Sequence, residues 1–313
     1  MKKKSVIIVL VIGLLLNTLV IIAHTFQPLL STKPVPEGRS TGYDTTSFPS
    51  SDVYQPTKIS LAGEEVPLKR QDVVEAFQRE LIVNTYLHSS TIQLLKNAPR
   101  YFEQIEPILR REGVPDDFKY LAVIESNLNP LALSPAGAAG IWQFMVGTAK
   151  EYGLEVNDEV DERYNLEKST VAACAYLKTA YEKFGSWTVA AAAYNCGMSQ
   201  VSKQIEMQLE DNYYNLVLPI ETNRYIFRFL ALKQILENPQ VYHFHVSESW
   251  PLEKYRTVKV SESIPNLAEF AQKKGISYKT LKRFNPWLRK NTLKVGNGKS
   301  YEIAIPLKKE DYR

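Results

Sequence analysis

From residue 71 to residue 238 the apolar side chains recur at three- and four-residue intervals and never alternate, so this stretch can bury a core only by packing helices together. Val73, Val74, Phe77 and Leu81, then Ile92 and Leu95, mark a first helical stripe. Tyr101, Ile105, Ile108 and Leu109 mark a second, closed by Gly113. Pro115, Asp116 and Asp117 announce a third helix, which runs through Ser126 and ends near Asn129, because Pro130 disfavours helical geometry before it. Further helices are expected over Ile141–Tyr152, Ser169–Phe184, Trp187–Asn195 and Asn223–Leu236, with glycine or proline after each.

Beyond Pro239 the texture changes. VYHFHV, YRTVKV and SYEIAIP alternate like strands, while LAEFAQKKG and YKTLKRFN read as short helices. The fold class is therefore mainly α, with a helical domain over residues 71–240 and a small α+β module over 241–313. The module is basic: residues 251–313 hold 15 Lys+Arg against 6 Asp+Glu, a net of +9, whereas residues 1–250 hold 23 against 28, a net of −5. Such a module suits an anionic partner.

At the N-terminus Lys2, Lys3 and Lys4 precede an apolar run from Val6 to Ala23, which reads as a signal anchor or a cleaved signal over residues 1–27. Either sends the rest of the chain out of the cytoplasm, so a nucleic-acid partner is not expected. With no cysteine near this run, a lipoprotein anchor is excluded. Residues 28–70, rich in Pro, Ser, Thr and Gly, read as a flexible linker. Two cysteines and four histidines among 313 residues leave no multi-cysteine zinc site, and neither a metal nor another cofactor is expected. His243 and His245 have the spacing of one strand face and read as packing or surface residues. Cys174 falls on an apolar helical face with Leu177, Tyr181 and Phe184; a Cys174–Cys196 disulfide stays open.

One carboxylate stands out. Phe118, Leu121, Ala122 and Glu125 share a helical face, so Glu125 ends an apolar stripe, where desolvation raises a carboxyl pKa. A carboxyl kept protonated near neutral pH can donate to a leaving oxygen. The small residues from Ser134 to Gly140 follow, allowing close backbone approach to a ligand, and Gly140-Ile141-Trp142-Gln143 is expected to open the next helix beside that carboxyl.

The ordered set Glu125-Ser126, Gly140-Ile141-Trp142-Gln143, Ala193-Tyr194-Asn195 and Glu221-Thr222-x-x-Tyr225 resembles family 1 lytic transglycosylases, most of all their membrane-bound D-like branch. The resemblance covers residues 71–238. It implies a lysozyme-like fold of the goose-type kind and cleavage of the β-1,4 bond between N-acetylmuramic acid and N-acetylglucosamine in peptidoglycan. It makes Glu125 the catalytic acid and then base, closing a 1,6-anhydro ring without water. It places Ser134, Gln143, Met145, Tyr194, Asn195 and Tyr225 along the glycan groove, with Ser126, Gly140 and Glu221 in support. The chain departs from the family pattern at Val146, where proline is common, and at Trp142, where methionine is frequent.

A hydrolytic, lysozyme-type muramidase would need a second carboxylate across the sugar, from the acidic segment 155–163, otherwise a solvated loop with Asp161 and Arg163 fixing the next helix, or from Glu221. A non-catalytic peptidoglycan-binding protein is the alternative outside enzymes. The C-terminal module resembles a divergent LysM domain, a family that binds N-acetylglucosamine-containing glycans, although Ser261–Leu267 replaces its usual Gly-Asp-Thr-Leu opening. Together these resemblances imply peptidoglycan strands as partner and the bacterial envelope, on the outer face of the inner membrane or in the periplasm, as location.

Overall fold

A computed structural model describes residues 53–307. The expected signal segment and the first part of the expected linker lie outside the described residues.

The linker ends sooner than its composition suggested. Ser60–Leu61 (β1) and Glu64–Glu65 (β2) form a hairpin about Ala62-Gly63, both at positive φ, the backbone twist that tight hairpins require. Ile59, Leu61 and Val66 are buried in the main core. These few apolar side chains were masked by the surrounding Pro, Lys and Glu.

The helical body comprises Gln71–Tyr86 (α1), His88–Glu112 (α2), Lys119–Ser126 (α3), Val146–Glu151 (α4), Leu166–Phe184 (α5), Trp187–Cys196 (α6), Met198–Gln208 (α7) and Ile220–Glu237 (α8). The break between the first two helices falls at Leu87, and α2 runs on through Pro99 and Pro107. The expected helix over 141–152 begins only at Val146; residues before it form turns. Helix α7 was not anticipated, because its apolar residues, Val201 and Ile205 among them, make only a thin stripe.

Two helices form the centre. In α6 every residue from Thr188 to Ala193 is buried, and its alanines let neighbouring backbones approach closely. Helix α8 buries Tyr225, Ile226, Phe227, Phe229, Leu230 and Leu232 around much of its girth, the pattern of a helix enclosed by others. Glu64 caps α6 from the hairpin: its carboxylate accepts from Trp187 N (2.6 Å), Thr188 N (2.9 Å), Thr188 Oγ1 (2.6 Å) and Ser186 Oγ (2.8 Å). A negative group satisfying free N–H groups at a helix start is stabilising.

The sequence VYHFHV is not a strand. Pro239–Tyr242 forms a 3-10 turn, and Tyr242 and Phe244 bury into the helical core while His243 and His245 stay exposed. The alternation reflects alternate burial along a strap, so the body extends past residue 240. The strap lies along α2, with Trp250 N donating to Lys96 O (2.9 Å) and Arg100 Nε to Pro251 O (3.0 Å).

The C-terminal module follows the expected β–α–α–β order: Tyr255–Val260 (β3), Leu267–Lys273 (α9), Tyr278–Phe284 (α10) and Tyr301–Pro306 (β4). The strands pair antiparallel, Tyr255 opposite Pro306 through Val260 opposite Tyr301. Leu267, Leu281, Leu293, Ile303 and Ile305 fill the core beneath them. Asn285, fully buried, ties the end of α10 to β4 by accepting from Ala304 N (2.7 Å) and donating to Ala304 O (2.8 Å).

Candidate active site

Phe118, in the 3-10 turn that leads into α3, and Leu121 and Ala122 on the helix's inner face are completely buried, and α3 carries Glu125 to the boundary of the core in its last turn. Asn127, at φ 52°, ends the helix. Ser126 then stitches this end to the following loop, its Oγ donating to Ile141 O (2.9 Å). The Glu125 side chain is neither free nor fully enclosed: it retains some solvent access, and Tyr225, from α8, donates its hydroxyl hydrogen to Glu125 Oε1. Burial pushes the Glu125 carboxyl up to about 7. The Tyr225 hydrogen bond opposes that rise, the Glu221 charge adds to it, and Arg228 opposes it. A carboxyl poised there populates both protonation states at neutral pH, as a general acid that later serves as base requires.

The loop after α3 is a folded structure of its own. Ser134 N donates to Ala138 O (2.8 Å), and Ala138 N to Ser134 Oγ (3.0 Å), closing a tight turn. Ala139 and Phe144 exchange both backbone bonds, at 3.0 and 3.2 Å. Gly140 sits at φ +78°, and a Cβ there would lie 1.9 Å from the Arg163 carbonyl oxygen, so no other residue fits. Gln143, itself at φ 49°, donates from Nε2 to Gly140 O (2.8 Å). The expected helix start is thus a turn held by its own carbonyls, and it presents no helix N-terminus to the carboxyl. Met145 and Val146 follow on the exposed surface, Met145 as the N-cap of α4. Trp142 points the other way, fully buried, with Nε1 donating to Thr170 Oγ1 (2.9 Å).

Helix α6 delivers Tyr194 and Asn195 to the same region. The Tyr194 hydroxyl donates to Trp142 O (2.8 Å), and its ring meets Phe144 edge-on. Thr222 Oγ1 donates to Asn195 Oδ1 (2.7 Å), joining the ends of α6 and α8. Burial raises the phenols of both Tyr194 and Tyr225 well above their ordinary value, and the Glu125 charge raises both further. Both stay protonated donors.

Glu125, Tyr225, Tyr194 and the 140–143 turn are therefore brought together. Glu221 is exposed and acts on Glu125 through its charge. The Ser134 hydroxyl is engaged with its own turn. Sequence reasoning missed Arg228, whose i+3 spacing from Tyr225 on α8 was the available signal; it read Asp161 and Arg163 together as fixing the next helix and missed the hold of Arg163 on this loop. Arg163 is paired with Asp161 (2.7 Å) with both side chains below 10% exposure, and its Nη1 donates to Gly137 O (2.8 Å) and Phe144 O (3.1 Å).

The acidic segment is occupied elsewhere. Glu162 accepts from Glu155 N (2.8 Å) and pairs with Lys168; Glu159 accepts from Thr292 Oγ1 (2.6 Å) and Lys294 N (2.8 Å). Both cysteines are free, which removes the disulfide, and burial pushes the Cys174 thiol up to about 12. Among the described residues no group of three or more His, Cys, Asp and Glu side chains is placed to hold a metal ion.

The Transglycosylase SLT domain family matches residues 104–217, and the soluble lytic transglycosylase C-terminal LysM-like domain family matches residues 256–309. The chain is 30% identical over 275 residues to the membrane-bound lytic murein transglycosylase D of Escherichia coli, covering 85% of this chain and 58% of the relative. It thus spans little more than half that relative's length. It is 29% identical over 121 residues to a putative tributyltin chloride resistance protein of an Alteromonas species, covering 38% of this chain and 58% of the relative. The 70 kDa soluble lytic transglycosylase of Escherichia coli aligns in structure with a TM-score of 0.38 and 22% identity, over 48% of this chain and 26% of that one.

Proposed function

From the match of residues 104–217 to the transglycosylase SLT domain family and of residues 256–309 to the soluble lytic transglycosylase C-terminal LysM-like domain family, we propose that this chain is a peptidoglycan lytic transglycosylase. It cuts the β-1,4 bond from N-acetylmuramic acid to N-acetylglucosamine in the bacterial envelope. The observation that carries the proposal is a single carboxyl, Glu125, held near pKa 7 and hydrogen-bonded by Tyr225 at the edge of the core.

Protonated Glu125 gives its proton to the glycosidic oxygen as the bond from that oxygen to muramic C1 breaks. Tyr225 holds the resulting carboxylate in place, and the Arg228 charge stabilises it. The carboxylate then takes the proton of the muramic C6 hydroxyl, whose oxygen bonds to C1. Glu125 ends protonated, the strand ends in a 1,6-anhydro ring, and no water is consumed. A single group suffices because each proton it loses it regains.

The engagement of Glu155, Glu159 and Glu162 with backbone, lysine and module groups favours this cycle over a hydrolysis that draws its second carboxylate from that segment. The LysM-like module would add affinity for the glycan strand. The test is Glu125→Gln on purified sacculi: lysis is lost and binding kept. Lysis at the wild-type rate would refute the assignment.

A further inference from the structure

The basic C-terminal module does not stand apart from the acidic body. Its 285–294 turn grips the 158–164 segment through backbone and side chains together. Asp161 N donates to Trp287 O (2.9 Å) and Arg289 N to Glu159 O (2.7 Å), while Val160 pairs with Leu288 as an isolated β-bridge. The Glu159 carboxylate accepts from Thr292 Oγ1 and Lys294 N, Lys290 pairs with Asp158 (3.1 Å), and the Arg289 guanidinium covers the Tyr164 ring at 4.3 Å. Ala139, Val160 and Tyr164 of the body are buried in the module's own core with Trp287, Leu288 and Leu293. Further along the seam, Glu155 accepts from the Tyr301 hydroxyl (3.0 Å). Part of the charge asymmetry between the two halves of the chain is thus satisfied within the chain.

This seam leads straight to the active-site loop. Asp161, whose backbone is bonded to the module, holds the Arg163 guanidinium at Nε (2.9 Å) and Nη2 (2.7 Å). Arg163 in turn holds the Gly137 and Phe144 carbonyls, and its own carbonyl occupies the space left beside Gly140. Between those anchors lie Gln143 and the Trp142 carbonyl that receives the Tyr194 hydroxyl. Ala139, within the same loop, packs directly into the module.

We infer that the C-terminal module is a positioning element of the catalytic site, setting the 134–144 loop through Glu159, Asp161 and Arg163, in addition to any part it has in holding glycan. The inference rests on the proposed function for its kinetic readout but not for its structural one. A tether alone would raise the local substrate concentration and act on KM. A brace sets the geometry of the reacting groups and acts on kcat, where small displacements have large effects.

The experiment uses the full chain carrying Glu159→Ala or Arg289→Ala, with Thr292→Val as a milder third variant that removes one hydroxyl from the seam. Amide hydrogen exchange is followed across residues 134–144, and kcat and KM are measured on soluble glycan strands. We expect exchange in 134–144 to rise about tenfold while the amides of α3 and α8 keep their protection. We expect kcat to fall about tenfold with KM changed less than about twofold, and Glu159→Gln, which retains an acceptor, to recover most of the loss. Unchanged exchange in 134–144, or a rise in KM with kcat kept, would overturn the inference. Should the wild-type protein leave glycan strands intact, the functional reading fails, and the exchange measurement still decides the brace.

Discussion

Tyr225 donates its hydroxyl hydrogen to Glu125 across 100 residues of chain, joining the last long helix of the body to the short third one. The bond opposes the upward shift that burial imposes on the carboxyl, leaving it near 7. In the proposed cycle the pair would balance two demands on one residue: protonated enough to give a proton, ionisable enough to take one back.

Removing the tyrosine hydroxyl should move that balance in a known direction. Tyr225→Phe deletes a donor that favours the carboxylate, so the Glu125 pKa rises. The limb of the pH–rate profile on which activity falls with increasing pH then moves from about 7 to higher pH. We expect kcat at neutral pH to fall about tenfold or more, since the carboxylate loses its positioning partner. Arg228→Gln should move the same limb in the same direction without removing the Tyr225 bond.

Stability should report the same group. The folded-state pKa of Glu125 lies above its ordinary 4.5, so the native state holds this proton more tightly than the unfolded chain. That stability is fully present below about pH 4.5 and is lost as pH rises through about 7. Glu125→Gln cannot ionise and escapes the loss. Its stability relative to wild type, measured by denaturant titration, should therefore grow by on the order of 2 kcal/mol between those limits, a figure reduced for the carboxyl's partial solvent access.

Gly140→Ala should be among the most damaging single-methyl changes in the chain. The added Cβ would meet the Arg163 carbonyl at 1.9 Å, on a backbone at φ +78°. We expect a loss of about 3 kcal/mol or more in unfolding free energy, with reduced activity in whatever fraction folds.

Glu64 tests the reassigned hairpin. Its carboxylate receives four hydrogen bonds at the start of α6, so Glu64→Ala should cost about 2 kcal/mol, and Glu64→Gln less. A change within experimental error would mean that residues 60–65 do not cap that helix.

Much of this arrangement was legible in the residues. The stripe Phe118, Leu121, Ala122, Glu125 located both the helix and the end at which its carboxylate leaves the core, because helical periodicity is a property of neighbours in sequence. The strands 255–260 and 301–306 were readable for the same reason. The hairpin at 60–65 was not, since two-residue strands carry no periodicity and their buried side chains are too few to stand out. The turn at 140–144 was mistaken for a helix start because its own carbonyls and Arg163, 19 residues beyond Phe144, hold it by bonds that periodicity does not reveal. Nor could residues 155–162 declare their partner: an acidic run looks the same whether it faces water or the basic turn at 285–294. What sequence left hidden was contact between distant segments.

The central claim is that one carboxyl, regaining the proton it gives, cuts glycan without water. Mass spectrometry of purified sacculi digested by the wild-type protein and by Glu125→Gln tests it most directly. The account predicts muramic products one water lighter than hydrolysis would give with wild type, and none above background with the variant. Hydrated reducing ends from the wild-type digest, or anhydro ends released equally by Glu125→Gln, would contradict it.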